Sequence, residues 1–203
     1  MKTVRAAKDS RLTGSAPASP SELPATRVLL LPGWLNSGHA HWQSRWEALH
    51  GCLRVEQDDW LWPRRGDWMA RLDDVVQAGA GSAVLVAHSL GCQLVAAWSA
   101  HSRHTARVAG AMLVAPPDTE RADMPPNLFN WRPIVRERLL FASLVVTSSD
   151  DPYCAPMRSA QMASDWGSAT LGIGARGHIN GESGLGDWPE GWGMLRALRA
   201  GAG

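Results

Sequence analysis

Three side chains of types that act together in nucleophilic catalysis follow separate apolar runs of the sequence. Ser89 stands in AHSLG at 87–91, Asp151 in SSDDP at 148–152 and His178 in GHIN at 177–180. A serine hydroxyl is a poor nucleophile until an imidazole removes its proton, and the imidazole needs a carboxylate to hold its tautomer and stabilise its charged form. These residues predict acyl transfer, with Ser89 as nucleophile, Asp151 as acid and His178 as base.

Ser89 lies where a strand is predicted to turn sharply into a helix. Residues 84–87 are apolar without alternation, which is typical of a strand buried on both faces, and 92–98 contain good helix formers. Ala87 and Gly91 are small, as a turn crowded by neighbouring backbone requires, and the segment matches the G-x-S-x-G nucleophile elbow with alanine in the first position. The alternative is that Ser89 only caps the helix, a role that serine fills without any chemistry.

The oxyanion of an acyl-transfer intermediate needs two backbone N–H groups. One comes from the residue after the nucleophile, here Leu90, and the other from the loop after the first strand, where Trp34 follows Pro32 and Gly33. Gly33 permits a close backbone approach, although a proline followed by glycine is also an ordinary turn.

The acid and the base have plainer alternatives. Asp150 competes with Asp151 for the acid role, and both could simply start the turn at Pro152. We favour Asp151. His178 alone could be a surface histidine, but its position after a predicted strand and behind Gly177 favours the catalytic role.

Other histidines and aromatic residues allow further interpretations. His39 and His41 form an H-x-H pair, but no carboxylate or cysteine stands at a spacing that would complete a metal site, so His41 is expected to orient its loop through hydrogen bonds. Aromatic residues on strand-exit loops could line an apolar acyl pocket or could be structural covers. They are Trp34, Trp60, Trp62, Phe129 and Trp131.

Strands and helices alternate along the chain, which predicts an α/β fold: a doubly wound, mainly parallel six-stranded sheet with helices on both faces and no large lid. Strands are expected at 27–31, 52–56, 84–87, 108–114, 144–146 and 169–173, and helices at 41–49, 67–76, 92–98, 155–166 and 192–198. Ligands of such sheets bind outside the carboxyl ends of the strands, where Ser89, Asp151 and His178 are expected.

Composition and charge indicate which partners and which cellular compartment to expect. A formal net charge of +1, with Lys and Arg spread along the chain, gives no electrostatic reason to expect nucleic acid. Three widely spaced cysteines indicate a reducing compartment, and the lack of any long apolar run predicts a cytoplasmic protein that does not bind membranes. Residues 1–26 are expected to form a flexible basic tail, less plausibly a transit peptide, and 27–203 a single domain.

The chain resembles the RBBP9/YdeN group of small serine hydrolases in the α/β-hydrolase superfamily, the first of which is a retinoblastoma-binding protein. The matching pieces are LPG at 31–33, NSG at 36–38, HWQ at 41–43, AHSLG at 87–91, SDDPY at 149–153, GHIN at 177–180 and SGLGDWPEG at 183–191. The resemblance spans about residues 27–199 and implies that the aspartate directly before proline, Asp151, is the acid. Ala87 in place of glycine and the basic tail depart from the pattern.

Residues and resemblance together predict a serine hydrolase that needs neither metal nor cofactor. It is expected to cleave a small carboxylic ester or thioester through an acyl-enzyme on Ser89, with amides less favoured. The alternative is a protein-interaction module on a hydrolase fold with an idle or weakly active triad, since fold alone does not establish function. The sequence itself offers no support for a protein partner.

Overall fold

The structure is a computed structural model that describes residues 26–201, and six parallel strands form its single sheet. The strands are β1 (Arg27–Leu31), β2 (Leu53–Arg54), β3 (Ala83–His88), β4 (Val108–Val114), β5 (Ser143–Thr147) and β6 (Ala169–Gly172). Their order across the sheet is β2-β1-β3-β4-β5-β6. From β1 the chain first adds β2 on one side, and it then adds β3 to β6 in turn on the other side, so the strand order reverses between β1 and β3. The expected doubly wound parallel sheet is confirmed. The predicted tail, up to residue 25, lies outside the described residues.

Helices cover both faces of the sheet. They are α1 (Trp42–His50), α2 (Arg65–Ala78), α3 (Leu90–His101), α4 (Pro156–Trp166) and α5 (Pro189–Ala200). One apolar core contains side chains of α2, α3 and α4, and the other contains those of α1 and α5. Consecutive strand residues such as Leu85 and Val86 enter opposite cores, because successive side chains of a strand point to opposite faces. This is why the central strands β3 and β4 are apolar almost throughout.

Tryptophans supply much of the core volume. Seven of them are at most 2% exposed: Trp42, Trp46, Trp68, Trp98, Trp131, Trp166 and Trp188. Several of their indole N–H groups donate to backbone carbonyls, as when Trp166 donates to the carbonyl of Val135 and Trp131 to that of Pro63. Most of the unusual tryptophan content is therefore structural.

Several element boundaries differ from the predicted ones. The second strand pairs only with β1 and is two residues long rather than five, because it is an edge strand without a second partner. Helix α3 begins at Leu90, directly after the serine, and α5 begins at Pro189, a residue preorganised for the first helical position. No helix among residues 26–201 combines the length and apolarity needed to cross a bilayer.

The sheet brings the exits of distant strands to one edge. Residues that follow β1, β3, β5 and β6 all leave the carboxyl end of a parallel strand. Between β4 and β5, residues 115–142 contain the 3₁₀ helix Pro126–Trp131, and part of this segment borders a cavity at that edge.

Candidate active site

Ser89 occupies a strained turn between β3 and α3. Its φ of 53° and ψ of −125° are costly for a residue with a side chain. Two glycines make room for the turn: a Cβ at Gly33 would lie 2.6 Å from the Ser89 Cβ, and one at Gly91 would collide with the carbonyl oxygen of Leu31. Ser89 stands at the N-cap position of α3, yet its side chain makes no capping hydrogen bond. The simple capping role therefore does not explain it.

The Ser89 hydroxyl contacts His178 instead. Its Oγ lies 2.8 Å from His178 Nε2, and His178 Nδ1 lies 2.9 Å and 3.0 Å from the two carboxylate oxygens of Asp151. An ionised carboxylate can only accept, so Nδ1 carries the proton and Nε2 is free to accept from the serine O–H. The side chains of His178 and Asp151 are only 9% and 4% exposed, which shields the hydrogen bonds from water. The structure thus joins the three residues that the sequence singles out.

The neighbouring aspartate has a different role. Asp150 accepts hydrogen bonds from the Ser148 hydroxyl and the Gly177 N–H, both at 2.7 Å. These two bonds, that of Ser148 first, lower the pKa of its carboxyl. Asp150 therefore ties the loop that carries His178 to the end of β5, while Asp151 faces the imidazole. No pattern in the sequence indicates this anchoring.

The two expected oxyanion donors border the same cavity as Ser89 and His178. Leu90 is the first residue of α3, so its N–H has no acceptor within the helix and carries part of the positive end of the helix dipole. Trp34 follows Gly33, and its indole N–H is held by the carbonyl of Leu61 at 3.1 Å. Both residues therefore line the cavity that also contains the Ser89 side chain.

The cavity has a volume of about 260 Å³. Of the five candidate aromatic residues only Trp34 lines it. Trp60 and Trp131 pack against the core residue Trp68, with ring centroids 5.2 Å and 5.4 Å away, and Trp62 and Phe129 are about half exposed. Of the expected aromatic residues one therefore lines the pocket; Tyr153, which was not among them, also lines it, and six further lining residues are aliphatic.

Histidine 41 belongs to a buried cluster below the site. His39 is exposed, whereas His41 is buried and caps α1 by accepting the N–H of Gln43. His41 also contacts the ring of His88, and burial, followed by the charges of Arg54 and His178, lowers its pKa to about 3. Residues 26–201 contain no group of three potential ligands that could hold a metal ion.

The thiol of Cys154, close to the candidate acid, is unsuited to nucleophilic attack. Cys154 is buried, and burial, followed by the nearby charge of Asp151, raises the pKa of its thiol to about 12. The reactive form of cysteine is the thiolate, which this environment suppresses. Ser89 is the better candidate nucleophile.

Comparisons with known proteins concern the sequence and the fold of the chain. The sequence profile of a family described as serine hydrolase matches residues 28–197. A structure of a YdeN-like hydrolase from Pectobacterium atrosepticum is 26% identical, with a TM-score of 0.76 over 87% of this chain and 92% of that chain. The ydeN gene product of Bacillus subtilis is 19% identical, with a TM-score of 0.66 over 87% of this chain and 100% of that one.

A third similar structure, the esterase RhEst1 from a Rhodococcus species, is 15% identical, with a TM-score of 0.66 over 90% of this chain and 93% of that one. At such identities the last two similarities concern the fold. A search of curated proteins returned no match.

Proposed function

The chain belongs to the serine hydrolase family of the RBBP9/YdeN type, and we propose that it cleaves a carboxylic ester or thioester through an acyl-enzyme on Ser89. The observation that carries the proposal is the continuous hydrogen-bonded chain from Ser89 through His178 to Asp151. Such a chain activates a hydroxyl that is otherwise a weak nucleophile.

In the acylation step, His178 Nε2 takes the proton of Ser89 as Oγ attacks the carbonyl carbon of the substrate. The carbonyl oxygen becomes an oxyanion, which the N–H groups of Leu90 and Trp34 stabilise. Asp151 stabilises the imidazolium, which then gives its proton to the leaving oxygen or sulfur as the bond from the carbonyl carbon breaks. The products are an alcohol or thiol and an ester on Ser89.

Deacylation repeats these steps with water. His178 removes a proton from a water molecule whose oxygen attacks the acyl carbon, and the same N–H groups stabilise the second oxyanion. When this intermediate collapses, the bond to Ser89 Oγ breaks and Oγ regains its proton from His178. The carboxylic acid leaves, and the enzyme returns to its starting state.

The alternative of a pure interaction module accounts for less of the site. Binding alone requires neither the strained backbone of Ser89 nor a serine, a histidine and an aspartate joined from three separate strand ends. Strain of this kind persists where the surrounding structure maintains it, and it is concentrated at functional sites.

We also propose a cytoplasmic location, which the three free cysteines support.

A fluorophosphonate and a panel of ester substrates test the proposal. We expect the wild-type protein to be labelled on Ser89 and to hydrolyse short acyl esters, and S89A to lose both properties. The matched control is S164A, which changes an exposed serine of α4 and should behave as the wild type. A wild type that is neither labelled nor active on any ester or thioester would contradict the proposal.

A further inference from the structure

The cavity beside Ser89 has mainly apolar walls, to which Tyr153 and Asn180 add two uncharged polar groups. Leu35, Leu90, Pro117, Met124 and Leu128 contribute apolar surface, and no Asp, Glu, Lys or Arg is among its lining residues. The hydroxyl of Thr119, a polar group at this cavity, is buried and already donates to a backbone carbonyl at 3.2 Å. A charged group placed here would lose much of its hydration without meeting a Lys, Arg, Asp or Glu side chain of opposite charge.

We propose that this cavity binds the acyl part of the substrate and selects uncharged apolar acyl groups; this inference rests on the proposed function. Its volume of about 260 Å³, at about 30 Å³ for each water volume, holds roughly nine non-hydrogen atoms. The limit corresponds to an acyl chain of about eight carbons or to a small aromatic acyl group. Dicarboxylic acyl groups are disfavoured, because no Lys or Arg lines the cavity to pair with their second carboxylate.

Met124 is the wall residue best suited to a test. It is half-buried at the edge of the core, whereas Leu128 is only 4% exposed and its truncation would disturb the core itself. M124A should enlarge the cavity and M124W should fill part of it. Met157, which is 85% exposed on α4, provides the control M157A.

The experiment measures kcat/KM for p-nitrophenyl esters from acetyl to dodecanoyl. We expect kcat/KM of the wild type to rise by up to roughly fourfold per methylene and to fall beyond about eight carbons. M124A should move the maximum to longer chains and M124W to shorter ones, while M157A leaves it in place. Ser89-dependent turnover without a maximum, or a maximum that both Met124 variants leave unchanged, would overturn the acyl site alone. Absence of turnover on every ester would overturn the proposed function with it.

An independent observation concerns the backbone that carries His178. His88 ends β3 and is buried, and its Nε2 lies 2.9 Å from the carbonyl oxygen of His178. Trp42 Nε1 lies 2.8 Å from the next carbonyl oxygen, that of Ile179. A carbonyl only accepts, so both ring nitrogens donate. Two buried N–H groups therefore hold the carbonyl of the candidate base and that of the residue after it.

This backbone needs support. Ile179 has a φ of 50°, in the left-handed region that a β-branched residue rarely adopts. The rings below the loop pack on one another: His88 lies 4.9 Å from His178 and 4.6 Å from His41 between centroids. Burial, followed by the nearby His41 and His178, lowers the pKa of His88 well below its usual range, so the ring is neutral and adds no charge beside the base.

We infer that His88 and Trp42 are positioning residues that hold the His178 imidazole in line with Ser89 through these two carbonyls. Neither ring takes part in proton transfer, because His88 Nε2 is engaged by the His178 carbonyl and the Trp42 indole has no basic nitrogen. Their effect on the reaction is geometric. A displacement of about 1 Å at a reacting group can cost about a hundredfold in rate.

Substitutions that separate hydrogen bonding from packing test this inference, using an ester that the wild type turns over. Gln carries an amide nitrogen at nearly the same distance from Cα as Nε2, so H88Q should stay within about fivefold of the wild-type kcat, whereas H88L should lose tenfold or more with little change in KM. W42F keeps an aromatic ring but removes the donor and should also lower kcat. The control is W192F. Trp192 lies on α5, and its ring stacks on that of His50 at the end of α1.

The melting temperature of each variant shows at which temperatures it is folded, so that a loss of kcat there reports positioning and not unfolding. The inference is overturned if H88L and W42F have a wild-type kcat at temperatures where they are folded, or if H88Q is as impaired as H88L. Should H88L fail to fold, the kcat and KM of W42F decide the matter. Fluorophosphonate labelling rates should fall in parallel with kcat, because they report the same proton transfer from Ser89.

Discussion

The burial of His41 makes the stability of this protein sensitive to mild acid. The side chain is 6% exposed, its Nδ1 caps α1, and its Nε2 has no hydrogen-bond partner among the described residues. Burial is the first cause that lowers its pKa, from 6.5 to about 3. In the unfolded chain the imidazole binds a proton as the pH falls through 6.5, whereas in the folded protein it does so only near pH 3.

The unfolded state therefore binds more protons between these values, and stability falls as the pH is lowered. The pKa of His41 is 6.5 in the unfolded state and about 3 in the folded state. Its titration alone therefore lowers the free energy of unfolding by about 2 kcal/mol between pH 7.5 and pH 5.0. The loss begins near pH 6.5 and is complete near pH 3. His88 contributes in the same direction, since its folded-state pKa is also lowered.

Urea unfolding of the wild type and H41N at pH 7.5, 6.0 and 5.0 measures this contribution. Asparagine keeps an acceptor for the first turn of α1 but does not titrate, so H41N should lose about 2 kcal/mol less stability than the wild type over this range. H39N, at an exposed position two residues earlier, should follow the wild type. If wild type and H41N lose stability equally, within about 0.5 kcal/mol, the assigned linkage is wrong.

Three further predictions concern the candidate site and use the same ester assay. G33A places a Cβ 2.6 Å from the Ser89 Cβ and should lower kcat/KM by about a hundredfold, whereas G38A meets no neighbouring atom and should have no effect; equal activities would refute the clash. D151N removes the carboxylate that holds the imidazole tautomer and should lower kcat by about a thousandfold or more, so a mild loss would argue against Asp151 as the acid. D150N keeps an acceptor for the Gly177 N–H and should stay within about tenfold of the wild type, while D150A should lose more activity; a loss as large as that of D151N would reverse the two roles.

The sheet could be predicted because its signal is local. A strand buried on both faces must be continuously apolar, and the residues that end it must break the pattern, as Pro32 and Gly33 do after β1. The same rule is weak for β2, where only two residues pair at the edge and burial imposes little on the sequence. Its predicted length was therefore wrong.

Ser89 and its turn could be recognised from sequence for a similar reason. Strand, nucleophile and helix are consecutive, and the glycine requirement arises from backbone contacts within one βα unit and the neighbouring strand. The two other catalytic candidates could be found because parallel strands bring their carboxyl ends to one edge, so chain position predicts spatial proximity.

Only the tertiary structure decided three features of the site. They are the choice between two adjacent aspartates as the partner of His178, the groups that hold the base, and the lining of the cavity. Asp150 and Asp151 are neighbours in sequence, but their side chains reach different partners, and the bonds to them cross 27 residues of chain. His88 and Trp42 hold carbonyls 90 and 137 residues away. Residue type and spacing determine which elements form and where they end; side-chain direction and contacts between distant segments are determined only when those elements pack together.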